Sequence, residues 1–245
     1  MPQTRLDQCL VSRGLFESRS RARDAIERGT VKVADKIATK AGQMVDEDVE
    51  ITIDDPAQAY VSRAALKLIA ALDHFGLSPE GLTCLDVGAS TGGFTQVLLE
   101  RGATHVIAID VGHGQLDQRL RDDPRVTSIE GLNARDLTQR DLPTPAQAIV
   151  SDVSFISLKL ALPPALELAA TGAWLAALVK PQFEAGREAI GKGGILKDAS
   201  LGPKIAAGLE AWLNSLGGWR SLGVIPSPIA GGDGNQEYLL AGRKI

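Results

Sequence analysis

The run LDVGASTGGFT, Leu85 to Thr95, constrains the fold of this chain more than any other stretch. Leu85 to Val87 read as the end of a buried strand. The small residues from Gly88 to Gly93 make a turn with almost no side chain. Phe94 then opens an amphipathic helix whose apolar positions include Val97, Leu98 and Leu99. A strand, a small-residue turn and a helix N-terminus form the nucleoside-binding corner of a doubly wound sheet. The run has no Gly-Lys-Ser/Thr, which argues against a nucleoside triphosphate. Its Gly-x-x-x-Gly-Gly spacing also misses the dinucleotide pattern Gly-x-Gly-x-x-Gly. A small nucleoside-bearing cofactor remains, with S-adenosylmethionine the leading candidate.

The rest of the chain from residue 60 alternates strand and helix signals, as an α/β sheet requires. Strands are expected near 82–87, 104–110, 125–130, 146–152 and 173–180. Helices are expected near 61–75, 93–101, 115–121, 157–170 and 199–216. Two further strands, 219–226 and 235–242, flank the turn AGGDGN. Five alternating strands followed by a hairpin give a seven-stranded sheet ending in an antiparallel pair, the arrangement of Rossmann-like class I methyltransferases. We expect two domains, 1–59 with its linker and 60–245.

The first 55 residues have a different character: two short helices ending near Gly14 and Gly29, then short alternating strands. Ser18 or Ser20 can cap the second helix. Between Arg5 and Lys40 nine basic residues face five acidic ones, although the whole chain carries a net charge of −4. Local patches, not net charge, decide contact with phosphates. A solvated helix face is the competing reading of that charge. Arg19 and Arg23 are four apart and share a helix face.

The pieces Arg5-Leu6-Asp7, Gly14-Leu15, Ser18-Arg19-Ser20, Ala22, Ile26 and Gly29-x-Val31-x-Val33 resemble the S4-like RNA-binding module. The resemblance implies that Arg5, Arg13, Arg19, Arg23 and Lys32 face structured RNA. Cys9 and Cys84 stand far apart, and the three histidines form no ligand pattern, so neither a disulfide framework nor a metal site is expected. The first residues show no secretion signal, and no stretch is long and apolar enough for a membrane span. A cytoplasmic setting is expected.

Around the glycine turn, Asp86 ends the first strand and can reach a methionine amine through water. Gly88, Gly92 and Gly93 permit close backbone approach, Ser90 offers a hydroxyl, and turn amides can hold a carboxylate. Phe94 and Val111 flank these positions and belong to the same candidate set. Asp110 ends the second strand, where an acid can accept both ribose hydroxyls. Asn133 follows the third strand, where adenine would lie. Helix capping for Asp86 and simple strand termination for Asp110 are the alternatives.

A second constellation is charged. Lys180 ends the apolar strand AWLAALVKP, and an unpaired lysine beside a buried strand is costly. Asp152 ends the neighbouring strand, Glu237 stands at the start of the last one, and Lys67 lies in the helix before the first. A structural ion-pair network is the competing reading. The segments YVSRAALKL, LDVGASTGGFT, DVGHGQL, SDVSFISL, LVKPQFEAGRE and GNQEYLL resemble the TlyA family of ribosomal RNA methyltransferases, relatives of the FtsJ-like 2′-O-methyltransferases. The resemblance spans both domains and implies a catalytic tetrad of Lys67, Asp152, Lys180 and Glu237. Ala64-Ala65 replaces a usual glycine pair, and Gly232 a usual proline; neither removes a reactive group.

The implied reaction moves a methyl group from S-adenosylmethionine to the 2′-hydroxyl of a cytidine. Lys180 would contact the 2′-oxygen as base or as electrostatic stabiliser, both roles staying open. Asp152 would orient it, and Glu237 would hold Lys67 or the ribose. Phe155 or Phe183 can stack on a flipped base, although core packing is the simpler reading and the preferred one for Phe155. Arg187 and Lys192 can contact RNA backbone. The partner implied is ribosomal RNA or a ribosomal subunit; the short termini resemble the relatives that modify only the large subunit. An RNA-binding protein with an inactive fold, a small-molecule methyltransferase and a haemolysin-like toxin are the alternatives.

Overall fold

The protein, seen in a computed structural model that describes residues 3–245, divides between Gln58 and Ala59 into two units. The first contains β1 (Gln3–Arg5), α1 (Leu6–Ser12), α2 (Arg19–Glu27), β2 (Val31–Val33), β3 (Lys36–Ile37), β4 (Met44–Asp46) and β5 (Ile51–Ile53). β1 pairs antiparallel with β4, and a separate small sheet has the order β3-β2-β5. Ser18 caps α2, its side chain accepting from the Arg21 N–H, which satisfies one otherwise orphaned helix donor. Leu6, Leu10, Phe16, Ala22, Ile26, Val31 and Val45 form the unit's apolar core.

A 3-10 turn at Pro56–Ala59 closes the first unit, and the first helix of the second is α3 (Ala65–Phe75). There follow β6 (Thr83–Val87), α4 (Gly93–Glu100), β7 (His105–Asp110), α5 (Gln118–Arg121), β8 (Val126–Glu130) and β9 (Ala146–Ser151). After them come α6 (Leu158–Ala161), α7 (Pro163–Leu168), β10 (Ala169–Val179), α8 (Pro181–Glu184), α9 (Leu201–Ser215), β11 (Trp219–Pro226) and β12 (Tyr238–Lys244). The sheet order is β11-β12-β10-β9-β6-β7-β8. β8, β7, β6, β9 and β10 run parallel, and β12 pairs antiparallel with both β10 and β11. This is the expected α/β sheet with its closing hairpin. Two apolar clusters cover it, one including Leu85, Ile107, Ile149, Leu175 and Leu213, the other Leu68, Phe94, Leu98, Val106 and Leu178.

Several boundaries differ from the sequence reading, among them the helix expected from 115, which starts at Gln118, and the last strand expected from 235, which starts at Tyr238. The helix expected over 157–170 is two short helices, because Pro163 and Pro164 cannot continue the first. Proline suits the first turn of a helix, so α7 starts there. β10 consequently starts at Ala169 and makes its early contact with Ala146 before a register shift. The first helix starts at Ala65, after a turn that carries residues 61–64. Lys67 thus lies in its first turn.

The sheet sets the site. Parallel strands β6, β7 and β9 all end at one edge, delivering Asp86, Asp110 and Asp152 there. The antiparallel β12 starts where β10 finishes: Val179 pairs with Tyr238, so Lys180 and Glu237 leave the sheet side by side.

Candidate active site

Between β6 and α4 the chain turns through Gly88 and Gly92, both with positive φ, and through Ser90 at φ 47°. A Cβ on Gly88 would lie 3.0 Å from Val153 Cγ1 and 3.1 Å from the Asp152 carbonyl oxygen, so the turn and the end of β9 can touch only because it is glycine. Gly93 serves packing, since its added Cβ would lie 2.9 Å from Ser62 Cβ at the approach to α3. Gly92 is likewise closed in by Leu116 and Leu120. Of the three turn glycines, only Gly88 lines the adjacent cavity. Phe94 is buried in the apolar cluster beneath the turn.

That cavity, of about 810 Å³, is lined by Gly88, Ser90, Asp110, Val111, Asn133 and Asp152 among the expected residues. Gln115, Arg135, Ser154, Phe155, Ser157, Leu160 and Phe183 also line it. Such a volume suits a small-molecule ligand. The Asp110 carboxylate accepts from Ser90 N–H at 2.8 Å and from Gly112 N–H at 2.7 Å, tying the glycine turn to the loop after β7. Asn133 Oδ1 accepts from the Arg135 backbone N–H at 3.1 Å and side-chain Nε at 3.3 Å. Val111 is exposed at the cavity wall, an apolar surface open to a ligand.

Asp86 lies beneath this cavity, fully buried and outside its lining. Its carboxyl is pushed up to about 7, chiefly by burial; the Thr95 hydroxyl, donating to Oδ2 at 2.7 Å, and the Thr95 backbone N–H oppose the rise, and the charges of Asp152 and Asp110 add to it. Its Oδ1 has no partner. A buried acceptor without a donor needs one to offset its desolvation, and a ligand ammonium reached through water would supply it. Thr95 stands inside the sequence motif, yet nothing in residue type alone marked it as the partner of Asp86.

The charged constellation resolves into two pairs. Lys67 Nζ contacts Glu237 Oε2 at 2.5 Å, and both side chains are buried. Burial raises the Glu237 carboxyl; Lys67 and then Lys180 oppose the rise, and Asp152 adds to it. Lys180 Nζ stands 2.7 Å from Asp152 Oδ1, but off the direction of a hydrogen bond, and donates to Ser154 Oγ at 2.7 Å. Gly231 leaves room for this arrangement: a Cβ there would come within 2.8 Å of Glu237 Oε1. Ser154 was not singled out in the sequence, although it sits two residues past Asp152 in SDVSFIS.

Phe155 departs from the expected core packing. It is 90% exposed and left-handed at φ 64°, with its ring 5.0 Å from that of Phe183. An exposed bulky residue in this conformation is strained, and such strain concentrates at functional sites. The loop carrying it is held by Glu184, whose carboxylate accepts from Ser157 Oγ at 2.6 Å and Leu158 N–H at 2.7 Å.

A family model described as "FtsJ-like methyltransferase" matches residues 60–244, and one described as "S4 domain" matches residues 4–51. The chain belongs to the FtsJ-like methyltransferase family. Within that family it falls among the TlyA proteins. It is 44% identical over 239 residues to the 16S/23S rRNA (cytidine-2′-O)-methyltransferase TlyA of Mycobacterium tuberculosis, covering 97% of this chain and 89% of that protein. It is also 44% identical to Hemolysin A of Brachyspira hyodysenteriae, over 96% of this chain and 98% of that one. A solved structure titled "Putative hemolysin from Streptococcus thermophilus" superposes with a TM-score of 0.76 at 41% identity, covering all of this chain and 89% of that one.

In the unit matched as an S4 domain, Arg5, Arg19 and Arg23 meet on the buried carboxylate of Asp7. Arg13, exposed, donates from Nη1 to the Val49 carbonyl at 2.7 Å, and Lys32 is exposed on β2. Arg187 is exposed in a 3-10 turn at Arg187–Ala189 of the second unit. Among the described residues no cluster fit to hold a metal ion occurs, and no helix is long and apolar enough to cross a membrane.

Proposed function

We propose that the chain transfers a methyl group from S-adenosylmethionine to the ribose 2′-hydroxyl of a cytidine in ribosomal RNA. The observation that carries this reading is the pairing of Lys180 with Asp152 at the rim of the cavity, beside the buried Lys67–Glu237 pair. The M. tuberculosis relative is named for 16S and 23S RNA, and a 37% identical Campylobacter jejuni relative, matched over 82% of this chain, is named for 23S RNA alone. The RNA common to both names favours the large subunit as substrate.

The donor supplies an already activated sulfonium methyl, so the protein's task is alignment and removal of the hydroxyl proton. Asp110 would accept the donor's ribose hydroxyls, with Asn133 toward the adenine edge and Ser90 with the turn amides toward the carboxylate. Gly92, Gly93 and Phe94 would support that turn from below. Asp86 suits the donor's amine through water, because its orphaned Oδ1 is an acceptor facing no protein donor. Lys180 would meet the 2′-oxygen, taking its proton when neutral or stabilising the developing alkoxide when charged. Ser154 accepts a hydrogen bond from Nζ, and the Asp152 carboxylate holds it by charge. The pair Lys67–Glu237 keeps a compact charge arrangement behind it. Phe155 and Phe183 would stack on the acceptor base, and Arg187 would contact backbone phosphate.

Replacing Lys180 with Ala tests the assignment. Methyl transfer should fall by about three orders of magnitude or more, a loss on the scale of removing one group that acts in the transition state. Cofactor affinity, read by calorimetry, should stay within a few fold. Turnover that survives the substitution would refute the role given to Lys180.

A further inference from the structure

Asp7 reads in the sequence as one acid diluting a basic region. In the structure it is fully buried, and it is the meeting point of three arginines from two elements. Arg5, at the junction of β1 and α1, grips it with two donors, Nε to Oδ1 at 3.0 Å and Nη2 to Oδ2 at 3.3 Å. Arg19, at the start of α2, reaches Oδ2 with Nη2 at 2.9 Å and Nε at 3.3 Å. Arg23, one turn further along α2, commits Nε to the same oxygen at 2.8 Å. The side chains of the three remain 41, 44 and 47% exposed. Each side chain is therefore partly open to solvent while at least one of its guanidinium donors is fixed on Asp7.

Two further features hold this arrangement. The backbone N–H of Asp7 donates to the Ala41 carbonyl and that of Leu6 to the Gln43 carbonyl, so α1 begins in a fixed place. Gly42, between those acceptors, lies against the Arg5 guanidinium: a Cβ there would approach Nη1 to 3.0 Å. The carboxyl of Asp7 is held far below the usual carboxylate range, first by Arg5 and then by Arg19 and Arg23, against the opposing effect of burial. It is an anion under all ordinary conditions. One buried negative charge thus gathers three positive ones, and the cluster keeps a net positive charge at its exposed side.

We propose that Asp7 is a positioning residue for RNA, its buried carboxylate holding Arg5, Arg19 and Arg23 as one preorganised cationic platform for backbone phosphates. The proposal rests on the reading that RNA is the partner. Free arginine side chains must be ordered when they bind phosphate, and a platform ordered beforehand avoids that entropy loss. Planar guanidinium forks also hold phosphate best when their orientation is fixed. Substitution of Asp7 should then act opposite in sign to simple electrostatics. Removing a negative charge beside a phosphate-binding surface should strengthen RNA binding; removing this one should weaken it.

The test uses the full chain, with ribosomal RNA fragments as probe and affinity measured across a salt series. Asp7→Asn should weaken RNA binding about tenfold, and the dependence of log affinity on log salt should flatten by about one to two, the loss of one or two phosphate contacts. Its affinity for S-adenosylmethionine should match the wild type, and its melting curve should show the first unit still folded. A folded Asp7→Asn chain that binds RNA as tightly as the wild type, or more tightly, overturns the proposal. If that variant does not fold, the wild type decides. The Nε–H signals of Arg5, Arg19 and Arg23 in a nitrogen-15 spectrum, assigned by single Arg→Lys variants, should be ordered and slow to exchange before RNA is added. Signals averaged like those of free arginine would overturn it equally. A wild-type chain that binds no RNA under any salt condition would instead refute the reading on which the proposal rests.

Discussion

Replacing Asp86 with Asn should make the second unit more stable above neutral pH while harming the site. Asp86 is wholly buried, one oxygen bonded to Thr95 and the other without a partner. Its carboxyl has an ordinary value of 3.8 in the unfolded chain and about 7 in the folded one. The folded chain therefore holds a proton between about pH 4 and 7 that the unfolded chain gives up, and stability falls as pH rises through that window. Above pH 7 the full penalty of the ionised form applies, roughly 4 kcal/mol for a change of this size. Asparagine cannot ionise, but its amide still leaves a neutral polar atom unsatisfied, at a cost of about 1–3 kcal/mol. The net gain at pH 8 should be about 1–3 kcal/mol, or several degrees of melting temperature for a unit of this size. At pH 5 only about 2 kcal/mol of that penalty has accrued, which the unsatisfied amide roughly cancels, so the gain should nearly vanish. Melting curves of both chains at pH 5 and 8, without cofactor, read the difference directly. A melting difference that is the same at both pH values, or a variant less stable at pH 8, would refute the reasoning. With S-adenosylmethionine present the order should invert, because a ligand ammonium favours the carboxylate that asparagine lacks.

Lys67→Ala should destabilise the second unit by about 3 kcal/mol, because Glu237 would keep a buried charge with no partner. The double variant Lys67→Met/Glu237→Leu should recover much of that stability in thermal melts and none of the methyl transfer. Phe155→Ala should leave the melting temperature unchanged, since the ring is 90% exposed, and should raise the KM for RNA about 5- to 100-fold through the loss of one stacking partner. A large fall in melting temperature for Phe155→Ala would return that residue to a packing role.

The α/β alternation was legible because buried parallel strands are nearly continuous apolar runs, and IAID, AIVS and AALV stand out against their surroundings. Their polar terminal residues marked the ligand edge for the same reason: Asp110, Asp152 and Lys180 interrupt apolarity where the strands stop. The break at Pro163 follows from local chemistry and was available to a closer reading. What the sequence hid is tertiary. Nothing in residue type distinguishes a glycine that lines the cavity and lets the end of β9 approach, such as Gly88, from Gly93, which makes room at the approach to α3. Nothing in the sequence marked Asp7 as buried, because its burial arises from α1, α2 and the 41–43 loop meeting around it. Phe155 looked like core, since aromatic type predicts burial in general but not at a left-handed position on a cavity rim.

If the cavity and the Lys180 edge together methylate a ribose hydroxyl of ribosomal RNA, the labelled product identifies it. The direct measurement offers purified large and small ribosomal subunits to the chain with methyl-labelled S-adenosylmethionine, then digests the RNA to nucleosides and identifies the labelled one. The expected product is 2′-O-methylcytidine from the large subunit, lost in the Lys180→Ala variant. Label on a base rather than a ribose, or no transfer to either subunit, would contradict it.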